Sequence, residues 1–286
     1  MKTDKKHNKS SWQTPGQKGA KHLLDNFVNA ANFDSIPHAF LFLGPRGVGK
    51  ESLAVEFAKK ISEFNSSSQT RAEILEFDFE ESGGVENLRE LISFSSLTTS
   101  GAKKIFILKN FELASPSSSN ILLKTLEEPA ASSMFILIAN GQRVLPTIMS
   151  RCVAIRCFPL DQVGIDESLL DFDLPGNLLE IVKHYPGLGQ QLQSDPERTQ
   201  RLSDVLSKLG SHQLNLIDLN SLTQLETEDL QMLVSLWIIS LKAQLDQPGN
   251  LPEIIHNLKV AQNFHEDLKR SYNSKLVLQQ FLMNTK

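Results

Sequence analysis

One segment limits this chain more than any other: His38-Ala-Phe-Leu-Phe-Leu43 running straight into Gly44-Pro-Arg-Gly-Val-Gly-Lys50. The first half reads as a short buried strand. After Lys50, Leu53, Phe57, Ala58 and Ile61 recur on one face of a helix. Gly44-x-x-x-x-Gly49-Lys50 between a strand and a helix is the setting of a phosphate-binding loop. Gly44, Gly47 and Gly49 let the backbone curl so that successive N–H groups converge on phosphate oxygens. The helix N-terminus adds partial positive charge, and Lys50 can reach the outer phosphates. A plain Gly-rich turn has similar letters; the flanking strand and helix separate the two readings.

The rest of the first half repeats the alternation. Ile74 to Phe79, Lys104 to Leu108 (KIFIL), Met134 to Ala139 (MFILIA) and Val153 to Phe158 (VAIRCF) read as strands. Lys21 to Ala31, Val85 to Phe94 and Ser117 to Glu128 read as helices, the last stopping at Pro129. Strands alternating with helices predict an α/β layer with a mainly parallel sheet. After Pro159 an acidic, turn-rich stretch (DQVGIDESLLDFDLPG) leads into a remainder that is wholly helical in pattern. The expected organisation is a P-loop domain over 1–158, a small helical unit over 159–205 and a helical bundle over 206–286.

The loop departs from a working one at the next residue. A hydrolysing P-loop carries Ser or Thr after the lysine, whose hydroxyl binds Mg²⁺; this chain has Glu51. Ser52 is rotated by about 100° around the helix axis and does not simply substitute. A carboxylate here repels phosphate but suits the first turn of a helix whose loop is empty; a side chain turned outward is the other option. The strand KIFIL should end in the acidic pair that holds Mg²⁺ and orients the attacking water, yet Lys109 and Asn110 follow. Glu112 lies beyond the strand end. With the hydroxyl and both carboxylates gone, metal-assisted hydrolysis lacks three of its parts.

Several stretches together resemble the bacterial clamp-loader group of AAA+ proteins. They are Gly16-Gln17, Ile36 to Lys50, Ser119-Asn-Ile-Leu-Leu-Lys-Thr-Leu-Glu-Glu-Pro129, Met134 to Asn140 and Leu145-Pro-Thr-Ile-Met-Ser-Arg-Cys152. The match covers residues 12–158 and is weaker beyond, where Asn273 to Leu282 is similar to the last helix of a collar domain. Within the group the pattern is most similar to the delta-prime type of DNA polymerase III subunit, whose Walker residues are commonly degraded, whereas gamma/tau motors keep theirs.

The resemblance implies a RecA-like AAA+ domain, a helical lid and an all-α collar in a ring-shaped assembly. By it, Arg151 is an arginine finger acting in trans on ATP held by a neighbouring subunit, and Asn140 is at the sensor-1 position of a degenerate nucleotide site with Gly44, Gly47, Gly49 and Lys50. The implied partners are the gamma/tau and delta subunits of the clamp loader, with the sliding clamp and primed DNA reached through the assembled complex. The implied role is that of a non-hydrolysing stator in DNA replication. A gamma/tau-type ATP-hydrolysing motor rescued by Ser52 and Glu112, or a scaffold with no catalytic part, are the alternatives. The chain departs from the family where most members carry a four-cysteine zinc module: it has NSSSQTRAE, so no zinc is expected. His184-Tyr-Pro-Gly-Leu-Gly189 lacks the sensor-2 Arg or Lys of an active ATPase.

Composition sets outer bounds. A net charge of −4 argues against a nucleic-acid binder over its whole surface. Two cysteines, Cys152 and Cys157, cannot build a disulfide scaffold and read as buried packing thiols. With no secretory pattern and no apolar run of ~20 residues, no membrane partner is implied and a cytoplasmic setting is expected. The Lys-rich lead-in reads as a solubilising tail rather than a DNA clamp.

Overall fold

The computed structural model describes residues 12–29, 35–64, 72–81, 85–96, 103–130, 132–140, 144–168, 172–210, 225–245, 251–270 and 276–277. They belong to two units, one of Met1–Leu170 with His184–Gly187 and one of Asp171–Lys183 with Leu188–Lys286.

In the first unit the elements are α1 (Lys18–Val28), β1 (Ala39–Leu43), α2 (Lys50–Phe64), β2 (Glu73–Asp78), α3 (Val85–Ser96), β3 (Lys104–Lys109), α4 (Pro116–Glu127), β4 (Ser133–Ala139), α5 (Pro146–Met149), β5 (Val153–Arg156) and α6 (Gln162–Ser168). The five strands form one sheet in the order β2-β3-β4-β1-β5, and each pairing is parallel. Every residue of β1 and β4 is buried. Such unbroken apolar runs are what a parallel sheet covered on both faces requires.

Period-two alternation divides these strands between two cores. Phe40, Phe42, Ile105, Ile107, Ile136 and Ile138 face α1 and α2 with Leu24, Leu53, Phe57 and Ile61. Leu41, Leu43, Phe106, Leu108, Phe135 and Leu137 take the other face with Leu88, Leu122 and Leu126. Phe40 sits edge-on to Phe57 at 4.9 Å, and Phe106 stacks on Phe135 at 5.0 Å. On α4, Leu122 and Leu126 are buried and Leu123 half-buried.

Local signals explain the element ends. Ser115 caps α4, its Oγ accepting from the Ser118 N–H at 3.0 Å, and Pro116 fills the first turn, where a missing N–H does no harm. The stretch after Pro159, read as turn-rich, instead contains the helix α6. Asp161 accepts the Gly164 N–H at 2.7 Å, and Gln162 bonds Asp166 one turn on at 2.9 Å. β5 ends at Arg156, two residues short of the expected strand end. Segments 1–11, 30–34, 65–71 and 278–286, which bear on the lead-in, the end of the first helix, the zinc-module region and the last collar helix, lie outside the described residues.

The second unit is helical among its described residues: α7 (Gly176–Val182), α8 (Pro186–Gln193, its first two residues counted with the first unit), α9 (Pro196–Gly210), α10 (Thr227–Gln244) and α11 (Leu251–Arg270). α10 is its centre. Leu230, Leu233, Val234, Leu236, Trp237 and Leu241 are all buried, which spreads apolar contact around the helix and not along one stripe. Arg198 of α9 pairs with the mostly buried Asp229 of α10.

Candidate functional site

In a parallel sheet the loops after the strands gather along one edge, where ligands of such folds bind. The loop after β1 follows that rule and is closely held. A Cβ on Gly44 would meet the carbonyl oxygen of Cys157 at 2.2 Å, so only glycine fits. Gly49 has φ of 90°, in the left-handed region that glycine favours. From the N-terminal side, Gln17 donates to the carbonyls of Val48 at 3.0 Å and Phe158 at 2.6 Å, and accepts the Phe158 N–H at 3.0 Å. From the other side, the Gly187 N–H donates to the carbonyl of Gly47 at 2.8 Å.

Lys50 is buried and turned inward. Its ammonium donates to the Pro45 carbonyl at 2.6 Å and to Asn140 Oδ1 at 2.9 Å. Burial lowers its pKa to about 8, against the opposing pull of the Glu112 carboxylate. Asn140 follows β4 and in turn donates its backbone N–H to Glu112 Oε2 at 3.2 Å and its side-chain amide to Glu112 Oε1. Lys50, Asn140 and Glu112 thus form one chain of contacts at the strand ends.

Glu112 lies beyond the end of β3 yet reaches Asn140. Asn110 takes a left-handed conformation with φ of 52°, which Asn tolerates better than most residues, and a 3-10 turn over Phe111–Leu113 then folds Glu112 back to Asn140. The Asn110 amide itself points elsewhere, to Asp78 Oδ1 at 2.8 Å.

At the position where a working loop holds a metal, the donors are wrong and already paired. Lys109 Nζ lies 2.5 Å from Glu51 Oε1 and 2.8 Å from Glu76 Oε2. Burial works to lower the Lys109 pKa, but the hydrogen bonds and charges of Glu51 and Glu76 outweigh it and hold the ammonium above its ordinary range. Glu51 therefore faces the site as one half of an ion pair. Ser52 is exposed. Mg²⁺ needs oxygen donors in near-octahedral geometry; a residue pair of ammonium and carboxylate bound to each other does not fit it. Among the described residues no group of His, Cys, Asp and Glu could hold a metal ion.

Arg151 occupies a different place. It follows α5 and precedes β5, so it belongs to the edge where strands begin, whereas Lys50 follows the end of β1. Its guanidinium bonds Glu127 Oε1 at 2.6 Å and the Thr147 carbonyl at 2.9 Å, with about a third of the side chain exposed. Its partner Glu127 is itself half exposed. Beside Arg151 the partly exposed Cys152 has its thiol pushed up to about 12 by burial, while at the loop edge burial pushes the Cys157 thiol to about 11 against the pull of Lys50.

Two contributors escaped the sequence reading. Gln17 was visible only as part of a Gly-Gln dipeptide, and nothing in its spacing revealed a clamp on residues 31 and 141 positions away. Glu76 lies inside β2 and belongs to no motif.

Comparison with known proteins adds the following. The family described as DNA polymerase III, delta subunit, matches residues 19–161. DNA polymerase III subunit tau/gamma of Haemophilus influenzae is 28% identical over 229 residues, covering 71% of this chain and 33% of that protein. DNA polymerase III subunit delta' of Pseudomonas aeruginosa is 29% identical over 195 residues, covering 59% of this chain and 59% of that protein. The chain thus spans about a third of the first relative and three fifths of the second. Among solved structures, the RuvB Holliday junction branch migration motor of Thermotoga maritima is 18% identical with a TM-score of 0.46, covering 93% of this chain and 88% of that one.

Proposed function

We propose a function from one premise, that the chain belongs to the DNA polymerase III delta-subunit family of clamp-loader AAA+ proteins: it is a delta-prime-like subunit that does not hydrolyse ATP and supplies Arg151 to a neighbour's site. In this reading residues 1–158 form the AAA+ domain, 159–205 the lid and 206–286 the collar that holds the subunit in a ring. Its partners are gamma/tau and delta subunits, and the assembled loader places a sliding clamp on primed DNA.

The observation that carries the reading is the separation of the two chemistries. The loop edge has its metal position filled by Lys109 and Glu51, and Lys50 turned to Pro45 and Asn140. The arginine belongs to the opposite edge of a parallel sheet, where it cannot serve its own loop. A guanidinium is permanently charged and forked to match phosphate oxygens. Presented to ATP on an adjacent subunit, such a group contributes ~10³–10⁵ in rate to phosphoryl transfer.

Glu112 favours a second reading, a motor that hydrolyses ATP itself, because it reaches Asn140 and through it Lys50. Turnover by the isolated chain separates the two. The stator reading expects no magnesium-dependent ATP hydrolysis above a Lys50→Ala control. Turnover that the substitution abolishes would make the chain a motor.

A further inference from the structure

Glu51 and Lys109 are each hard to explain alone. A carboxylate beside a phosphate loop repels the ligand the loop is shaped for, and an ammonium at the end of β3 repels the cation usually held there. The two residues are 58 apart in sequence and meet at 2.5 Å. In a working P-loop these same two positions touch a single object, the divalent cation, one through a hydroxyl and the other through a carboxylate. Here they touch each other.

We propose that the Lys109 ammonium is a built-in replacement for the divalent cation, so that this site is indifferent to metal whatever anion the loop admits. Glu51 supplies one carboxylate to the ammonium and Glu76 a second at 2.8 Å. The arrangement answers the coordination the cation would receive, with the charges exchanged. Four-fifths of the Lys109 side chain is shielded, while the side chains of Glu51 and Glu76 keep 58% and 45% exposure. Lys109 is therefore the more shielded member of both pairs. A bridge built for surface stability has no reason to sit at this position, since exposed pairs contribute little. The inference concerns the loop edge alone and stands apart from the role of Arg151.

It follows that the two substitutions are one change and revert only together. Glu51→Thr alone leaves an ammonium at the metal position. Lys109→Asp alone places a third carboxylate beside Glu51 and Glu76. Only the double variant offers a hydroxyl and a carboxylate to a cation.

The test uses the full chain, with Mn²⁺ as a paramagnetic probe and ATP titrated in Mn²⁺ or in EDTA. For the wild type and Glu51→Thr, which both keep the ammonium, ATP affinity should agree within about twofold between the two conditions. The double variant should bind ATP at least about tenfold more tightly with Mn²⁺ and give a bound-Mn²⁺ resonance signal. The proposal is overturned if the wild type itself prefers Mn²⁺–ATP by about tenfold, or if a folded double variant shows no preference. Should the double variant fail to fold, the reversed pair, Glu51→Lys with Lys109→Glu, decides. It should recover the melting temperature lost by either reversal alone and stay indifferent to Mn²⁺; a failure of either expectation overturns the proposal.

Discussion

The two edges of this sheet use the same kinds of residue in opposite ways. Where the strands end, two lysines are tied to groups of the same edge: Lys50 to Pro45 and Asn140, Lys109 to Glu51 and Glu76. The Gly47 carbonyl and the Val48 carbonyl are also taken, by Gly187 and Gln17. Where the strands begin, Arg151 is held by one half-exposed carboxylate and one backbone oxygen, and keeps a third of its surface free. The first arrangement is closed upon itself and the second can exchange partners. Under the proposed function, the edge that reaches outward keeps its part in a shared site while the edge that would receive a ligand becomes structural.

If that contrast is right, substitutions along the loop edge should alter stability. The largest effect is expected at Gly44. A methyl there meets the Cys157 backbone at 2.2 Å, so Gly44→Ala should lose about 3 kcal/mol in urea unfolding. A loss below ~0.5 kcal/mol would mean that the loop is free to move and the edge is not closed.

Lys50 sharpens the comparison through pH. Its ordinary pKa of 10.5 applies to the unfolded chain, and burial lowers the folded value to about 8. Below about 8 both states carry the proton and the full penalty of burying the charge is present. Between about 8 and 10.5 the unfolded chain binds more protons, so stability rises with pH across that window. Lys50→Met should remove that rise, a difference of roughly 2 kcal/mol between wild type and variant from pH 7.5 to 10.5. Parallel pH profiles would show that Lys50 is not buried as described.

The smallest effect is expected at Glu127, and it should fall on turnover instead of stability. This carboxylate competes with any phosphate for Arg151, and an exposed pair contributes ~0–1 kcal/mol. Glu127→Gln should raise turnover of an assembled loader by up to about fivefold at limiting ATP, with an unchanged melting temperature. A fall in turnover would recast Glu127 as a residue that aligns the arginine and not one that competes for it.

Much of the fold was legible because its signals are local. The unbroken runs AFLFL and SMFILIA, the Ser115-Pro116 start of α4 and the glycines of the loop each follow from spacing or backbone geometry near at hand. The loss of the catalytic hydroxyl and acids could also be read position by position. What the sequence did not carry was pairing at a distance. Glu51 and Lys109 each looked like a defect until the sheet brought them together. Glu112 lies past the strand end in sequence, and only the left-handed turn at Asn110 brings it back to Asn140. Arg151 was singled out by its neighbours in sequence, but its tie to Glu127 depends on α4 and α5 lying side by side.

The measurement that tests the account most directly is DNA- and clamp-stimulated ATP hydrolysis by a reconstituted loader, comparing Arg151→Ala with Lys50→Ala in this subunit and with assembly checked by gel filtration. The account predicts that Arg151→Ala lowers turnover by at least ~10²-fold while Lys50→Ala changes it by less than about twofold. The reverse pattern, with Arg151→Ala silent and Lys50→Ala inactivating, would contradict it.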